Sequence, residues 1–310
     1  MKHAMATFAL AALALAACGR RDESAAAKTA PGAKVVGVAL RTRSHEFYKE
    51  LEAGLVDGAA KAGLRLVVQS AEADSTVQAR QLEDFVTQKV DAIVLVPCES
   101  DTVAANLRAA AAAKIPVFTA DIAAKGADVV SHVASDNHQG GKLAGEAMAK
   151  LLGGKGKVIV IDHPSVSSVQ DRVRGFEEAV KEHAGISIVG KPSSDGERVK
   201  AQAVMEDALT RTPDIAGVFG INDDSALGAL RAIEAAGKKD VVVIGYDATP
   251  EAQAAIRRGS ALKADVVQYP KRIGEATIAA VASLLAGKPV EKLTPVEVGL
   301  VDAESLAKAK

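Results

Sequence analysis

Short apolar runs alternate along this chain with longer stretches whose apolar positions recur every three or four residues. The runs at 35–40, 64–69, 92–96, 116–120 and 129–134 are rich in β-branched and aliphatic residues, which predicts buried strands. Between them, 47–62 carries a helical stripe through Leu51, Leu55 and Ala59, closed by Gly63. Helices are also predicted at 78–88, with Leu82, Phe85 and Val86 on one face, and at the Ala-rich 101–113. The rhythm then repeats, with strands at 158–162, 186–189, 217–221, 241–245 and 262–267 and helices at 169–183, 199–210, 225–236 and 250–258. A helix at 273–285 and a last strand pair around 296–301 close the chain. Apolar strands separated by helices imply parallel sheets covered on both faces. Two such sets predict an α/β fold of two doubly wound parallel-sheet lobes.

In open parallel sheets, ligands bind beyond the carboxyl ends of the strands. Asp121, Asn222 and Asp247 each directly follow a predicted strand, which makes them candidates for the wall of a small-molecule cleft. Duller roles compete. One of Asp223 and Asp224 is expected to cap the helix starting near Ser225, and Asp247, before Ala248-Thr249-Pro250, serves equally as a turn or cap residue.

The chain has 310 residues, 48% of them hydrophobic and 25% charged, enough for two lobes with cores of ordinary size. A formal net charge of -1 offers no basic field for nucleic acid. Two cysteines, Cys18 and Cys98, do not make a disulfide framework. Cys98, in VLVPCESD at a strand end, has no basic neighbour in sequence to lower its pKa and reads as a buried free thiol.

The N-terminus reads as an address. Lys2 and His3 precede an apolar stretch, 4–17, that has signal-peptide length and is shorter than the ~20 residues of a membrane span. LAAC, residues 15–18, resembles a bacterial lipobox, which implies cleavage of the signal peptide 1–17 and acylation of Cys18. Residues 18–33 are small and polar and read as a flexible tether. The folded body is then expected in the periplasm, held to a membrane by the lipid alone.

Catalytic and cofactor motifs are missing. LGGKGK, 152–157, precedes a strand where a dinucleotide fingerprint follows one, and reads as a turn. His132 and His138 lack partners at metal-ligand spacing. The serines of HPSVSS, 163–168, form no nucleophile elbow. The expectation is a binder with no cofactor and no metal, not an enzyme.

VVSHVASDNHQGGKLAGE (129–146) and INDDSALGALRAIEAAGKKDVVVIGYDATP (221–250) resemble the periplasmic ribose-binding-protein family, the substrate-binding components of sugar ABC importers. The likeness covers residues 34 to about 305. It implies a two-lobed, Venus-flytrap fold with three hinge crossovers. One lobe would be 34–134 plus 268–295 and the other 136–266 plus 297–310, with hinges near Ser135, Asp136, Val267 and Val296. It also implies ligand contacts: Asp121 accepting sugar hydroxyls, Arg172 of QDRVRGF donating to them, Asn222, Asp247 and Gln268 as further polar contacts, and Phe47 and Tyr48 stacking on the ring. The implied partners are a monosaccharide or polyol and an ABC permease, with the protein a monomer. A sugar sensor serving a chemoreceptor or sensor kinase is the alternative. The lactose-repressor family reuses this fold but would need an N-terminal helix-turn-helix where this chain has its signal-like segment.

Four positions depart from the ribose pattern. Ile122 replaces an arginine, His45 an asparagine, Gly196 a third aromatic, and Arg41 a small polar residue. Either Arg41 reaches into the cleft and supplies the missing guanidinium, or Arg41 and His45 face solvent at its rim. The lost ring leaves room for a ligand bulkier than ribose, such as a hexose, an inositol or another polyol.

Overall fold

The computed structural model describes residues 32–308, so the signal-like segment and Cys18 lie outside the described residues. Two six-stranded sheets form two lobes. The first sheet contains β1 (Val35–Leu40), β2 (Arg65–Ser70), β3 (Ala92–Leu95), β4 (Val117–Ala120), β5 (Ser131–Ser135) and, from far down the chain, β11 (Leu293–Val296). Their order is β11-β5-β4-β3-β1-β2, with all neighbours parallel. The second sheet contains β6 (Lys155–Ile161), β7 (Gly185–Gly190), β8 (Ile215–Gly220), β9 (Val242–Asp247), β10 (Leu262–Val267) and β12 (Gly299–Asp302). Its order is β12-β10-β9-β8-β6-β7, and only β12 runs antiparallel. The chain therefore crosses between sheets three times: after Ser135, after Val267, and between Val296 and Gly299.

The central strands are apolar because both of their faces are covered. Val36, Val38, Val94, Val158, Val160 and Val218 are all fully buried. On one face of the first sheet α1 (Glu46–Ala62) packs on α9 (Pro270–Leu285), and in the second lobe α4 (Asn137–Leu151) packs on α5 (Ser167–Lys181). Both pairs meet backbone to backbone. A Cβ on Gly54 would collide with the Lys271 carbonyl, one on Gly141 with the Arg172 carbonyl, and one on Gly175 with the His138 carbonyl. This close crossing brings Arg172, on α5, within reach of Asn137 at the start of α4.

Several local expectations are corrected. Helix α2 (Ser75–Thr87) starts three residues early because Asp74 Oδ1 accepts the N–H groups of Thr76 at 2.7 Å and Val77 at 3.1 Å. The Ala-rich 101–113 holds only a 3-10 turn, Val103–Ala105, and the short helix α3 (Arg108–Ala112). Helix α4 was not foreseen, since Gly140 and Gly141 interrupt its apolar stripe and lower its helix propensity. Lys155 opens β6 inside the stretch read as a turn. The last two strands do not pair with each other; each joins a different sheet. The remaining helices are α6 (Arg198–Arg211), α7 (Asp223–Ala235), α8 (Pro250–Arg257) and α10 (Ala303–Lys308).

Cys98 is buried, and burial pushes its thiol pKa up to about 12. Replacing Gly175 by valine should force α4 and α5 apart. Overpacking of this kind costs about 1–3 kcal/mol, so calorimetry should show a melting midpoint lower by about 2 °C or more.

Candidate functional site

The carboxyl ends of the two sheets face each other across a cleft. Every candidate from the sequence lines it: Arg41, His45, Phe47, Tyr48, Asp121, Arg172, Asn222, Asp247 and Gln268. Arg41, Asp121 and Gln268 directly follow β1, β4 and β10, and Asp247 is the last residue of β9. His45, Phe47 and Tyr48 cluster at the start of α1, and Arg172 projects from the first half of α5.

Asp121 takes a left-handed backbone, φ 62°, that short acidic residues tolerate. Its N–H donates to the Val133 carbonyl at 2.8 Å, which ties the turn to β5. The Tyr48 hydroxyl donates to its Oδ2 at 3.3 Å, while its Oδ1 is buried without a partner. Burial pushes the carboxyl pKa up to about 6 against the opposing pull of Arg172, the Tyr48 hydrogen bond and Arg41. Burial also raises the Tyr48 hydroxyl far above its ordinary value.

The guanidinium of Arg172 is held on three sides. Nε donates to Asn137 Oδ1 at 2.8 Å, Nη1 donates to the Ile221 carbonyl at 2.8 Å, and the group lies 4.0 Å over the Tyr246 ring. Two of a guanidinium's five N–H donors are thereby used, and the rest remain available to the cleft. Arg41 is only 5% exposed and, among the described residues, its side chain has no hydrogen bond or ion pair. It stands on the cleft wall, not at a solvent rim, and Ile122, at the position of the missing arginine, is packed into the apolar core. His45 is likewise buried. Its ring stacks on Tyr48 at 5.9 Å, and its Nε2, which has no hydrogen bond, lies 3.4 Å from Glu197 Oε1 in the opposite lobe. Phe47 meets Tyr48 edge to face at 5.2 Å, so the two rings form a corner.

Asn222 has a double task. It is the residue that caps α7, its Oδ1 accepting the Ser225 N–H at 2.9 Å, and this overturns the expectation that Asp223 or Asp224 is the cap. Its Nδ2 donates to the Gly196 carbonyl at 3.0 Å. Asp247 accepts from Gln268 Nε2 at 2.6 Å and from the Asp223 N–H at 3.3 Å. Burial, and then the nearby Asp223 carboxylate, raise its pKa. Gln268 Oε1 is buried and unpaired. Thr249, not Asp247, caps α8.

Sequence reasoning missed His163, Ser168, Val169 and Asp195, which line the cleft together with Gly196 and Ile221. His163 sits just beyond β6, so the strand-end rule that singled out Asp121 applies equally to it. Burial, and then Arg41, lower its imidazole pKa to about 4, which leaves it neutral near pH 7. A Cβ on Gly196 would stand 3.5 Å from His163 Nδ1. The space beside Gly196, expected to be vacated by a lost ring, is thus partly walled by an imidazole. His132, outside the cleft lining, bonds Thr119 Oγ1 at 2.9 Å.

At the lips of the cleft the lobes touch. The Ser100 N–H donates to the Ser165 carbonyl at 3.1 Å, the Ser167 N–H to Ser100 Oγ at 2.9 Å, and the Ala123 N–H to Ser167 Oγ at 2.9 Å. Ser165 and Ser167 of HPSVSS thus bridge the lobes.

Two sheet lobes closing polar strand ends over a shared cleft define a two-lobed solute-binding protein. The match to the family model for the periplasmic binding protein domain spans residues 36–289. The chain is similar to the ribose import binding protein of Salmonella typhimurium, with 36% identity over 267 residues, covering 86% of this chain and 90% of that one. Among solved structures it resembles an ABC transporter solute-binding protein from Bacillus halodurans with bound myo-inositol, at TM-score 0.83 and 30% identity, covering 90% of this chain and 97% of that one. A second is the Caulobacter myo-inositol-binding protein, at TM-score 0.84 and 27% identity, covering 91% and 98%. The chain belongs to the periplasmic binding protein family, in its ribose-binding-protein-like branch of sugar ABC-transporter substrate-binding proteins. It is a binding protein, not an enzyme, of a family that works outside the cytoplasm.

The buried Asp121 generates a pH signature. With its folded pKa raised to about 6 from 3.8, the native state keeps a proton that the unfolded chain releases first. Its stabilising contribution is full below about pH 4 and is lost as pH rises to about 6. Calorimetric midpoints of wild type minus Asp121→Asn should therefore fall across that window and level off above it.

Proposed function

We propose that the protein is a lipid-anchored, extracytoplasmic receptor that captures a neutral monosaccharide or cyclic polyol by lobe closure and delivers it to an ABC importer. The observation that carries this reading is the pair of buried polar atoms left without protein partners around one cleft, Asp121 Oδ1 and Gln268 Oε1. Beside them stand the unengaged guanidinium of Arg41 and the spare donors of Arg172. A polyol supplies what they lack. Its hydroxyls donate to carboxylate and amide oxygens and accept from guanidinium N–H groups, while Phe47 and Tyr48 cover its C–H face. Two acids, Asp121 and Asp247, and two guanidiniums, Arg41 and Arg172, share the lining, a mix of acceptors and donors that suits a hydroxylated ligand. The hydroxyls of a hexose or an inositol point outward around the ring and suit donors and acceptors on several walls.

Closure is a rotation of the lobes, 34–134 plus 268–295 against 136–266 plus 297–310, about hinges at Ser135-Asp136, Val267-Gln268 and Val296. Hinge motion of this kind is the usual repertoire of such receptors. Lipid anchoring at Cys18 is supported by the LAAC sequence.

A soluble form starting at Arg20 should be screened by thermal shift against ribose, allose, glucose, galactose, xylose, myo-inositol and linear polyols. A ligand at about 100 times its Kd adds about 2.7 kcal/mol, which raises the midpoint by several degrees. One responding sugar or cyclitol is expected, and Asp121→Ala should abolish the shift; silence across the panel sinks the carbohydrate reading. Anchoring is tested separately. The full chain should fractionate with membranes and Cys18→Ser should not, whereas recovery of wild type in the soluble fraction contradicts the lipid anchor.

A further inference from the structure

Behind the cleft the second lobe buries an acid that ligand capture does not use. Asp265 lies on β10 in register with Gly245 of β9 and is fully buried. A Cβ on Gly245 would overlap the Asp265 carboxyl and stand 3.0 Å from Asp223 Oδ1, so the bare glycine makes the notch in which the two carboxyl groups meet. The two oxygens facing that notch, Asp265 Oδ2 and Asp223 Oδ1, are buried and otherwise unpartnered.

The second oxygen of each acid is employed. Asp265 Oδ1 accepts the Ala248 N–H at 3.0 Å, and Asp223 Oδ2 accepts the Thr249 N–H at 2.7 Å. The Asp223 N–H in turn donates to Asp247 Oδ2. Asp247 and Ala248 both have positive φ, 123° and 54°, a backbone form that side chains resist. Two consecutive N–H groups beyond this strained turn are thus clamped by one pair of acids.

The ionisable groups acting on Asp265 are Asp223 on α7 and Asp247 at the end of β9; Asp224 adds to the field on Asp223, and Arg172 acts on Asp247. Among the described residues no cation bonds to Asp265, whose one hydrogen bond is from the Ala248 N–H. Two ionised carboxylates in such a notch repel, and a single proton between them removes the repulsion while satisfying both unpartnered oxygens.

We propose that Asp265 is a positioning residue: it shares one proton with Asp223, and the joined pair locks the Asp247–Ala248 turn so that the Asp247 carboxylate faces the cleft beside Gln268. Only its effect on affinity rests on the sugar-binding reading; the shared proton does not. Burial, and then Asp223, hold the Asp265 carboxyl well above its ordinary pKa. The pair's stabilising contribution is therefore present below the ordinary carboxylate range and is lost as pH rises through the folded value.

Asp265→Asn tests this directly, because its amide N–H replaces the shared proton and its carbonyl still accepts from Ala248. Infrared difference spectra of the unliganded soluble form, wild type minus Asp265→Asn at neutral pH, should show a protonated carboxyl band. The midpoint of wild type relative to the variant should fall as pH rises out of the ordinary carboxylate range. No such band, with parallel midpoints, overturns the shared proton. Calorimetric titration with D-ribose and with myo-inositol reads the positioning role. Asp265→Asn should bind within about 3-fold of wild type at neutral pH and lose less affinity in alkali than wild type does, and Asp265→Leu should bind at least 10-fold more weakly. Equal affinities with the same pH profile in all three overturn the positioning role. If neither sugar binds wild type, the ligand reading fails, and the infrared and midpoint results still decide the proton.

Discussion

A polar atom walled off from water must find a partner or cost about 1–3 kcal/mol, and the cleft is governed by that demand. Its walls are the carboxyl ends of two parallel sheets, where backbone and side-chain polar groups concentrate. The protein meets part of the demand itself. Asn222 spends its amide on α7 and Gly196, Arg172 is tied to Asn137 and Ile221, and Asp247 is braced by Gln268. What remains unmet, at Asp121 and Gln268, is the template that the proposed ligand would have to match. A solute that fills the space but mismatches the template leaves those atoms unpaired, so selectivity arises from penalty as much as from attraction.

Such a template works only if its parts hold still. Arg172 is positioned by a helix crossing so close that Gly141 and Gly175 lie against carbonyls of the facing helix. Asp121 is set by a left-handed turn tied to β5, and Asp247 by the turn after β9. Each lobe keeps its geometry through its own sheet, and the chain passes between the sheets at three places only among the described residues.

The strand pattern was legible because both faces of the central strands are covered, which leaves runs such as Val158–Ile161 apolar throughout. From it, Asp121, Asn222 and Asp247 followed by the strand-end rule alone. Arg41, His45, Phe47, Tyr48, Arg172 and Gln268 entered through family likeness, since nothing in local spacing distinguishes an arginine that enters a cleft from one that faces water. His163 obeys the same rule, but nothing in HPSVSS separates an imidazole that enters a cleft from one in an ordinary loop. Helix α4 was hidden by the glycines that let it approach α5, a case in which the packing requirement erases the propensity signal. The capping role of Asn222 was hidden because the helix begins two residues before the apolar periodicity suggests. The acid notch could not be read, as it depends on β10 lying in register with Gly245.

The route of the chain between sheets bears on how the protein is made. Helix α4 leaves the first sheet's β5 to cover the second lobe, and α9 leaves the second sheet's β10 to cover α1 in the first. The first lobe also waits for β11 to add its edge strand beyond β5. A ribosome that has delivered the chain only as far as Ser135 has made five strands of a sheet whose covering helix α9 and last strand are not yet synthesised. The glycine-lined surface of α1 stays bare until 270–296 emerge, by which time nearly the whole second lobe exists. The two halves are therefore poor candidates for separate expression or for a gene split at either of the first two crossings. Completion of the older lobe is coupled to the arrival of the younger, and a chaperone that shields exposed apolar faces during synthesis or export would find its longest-lived target there.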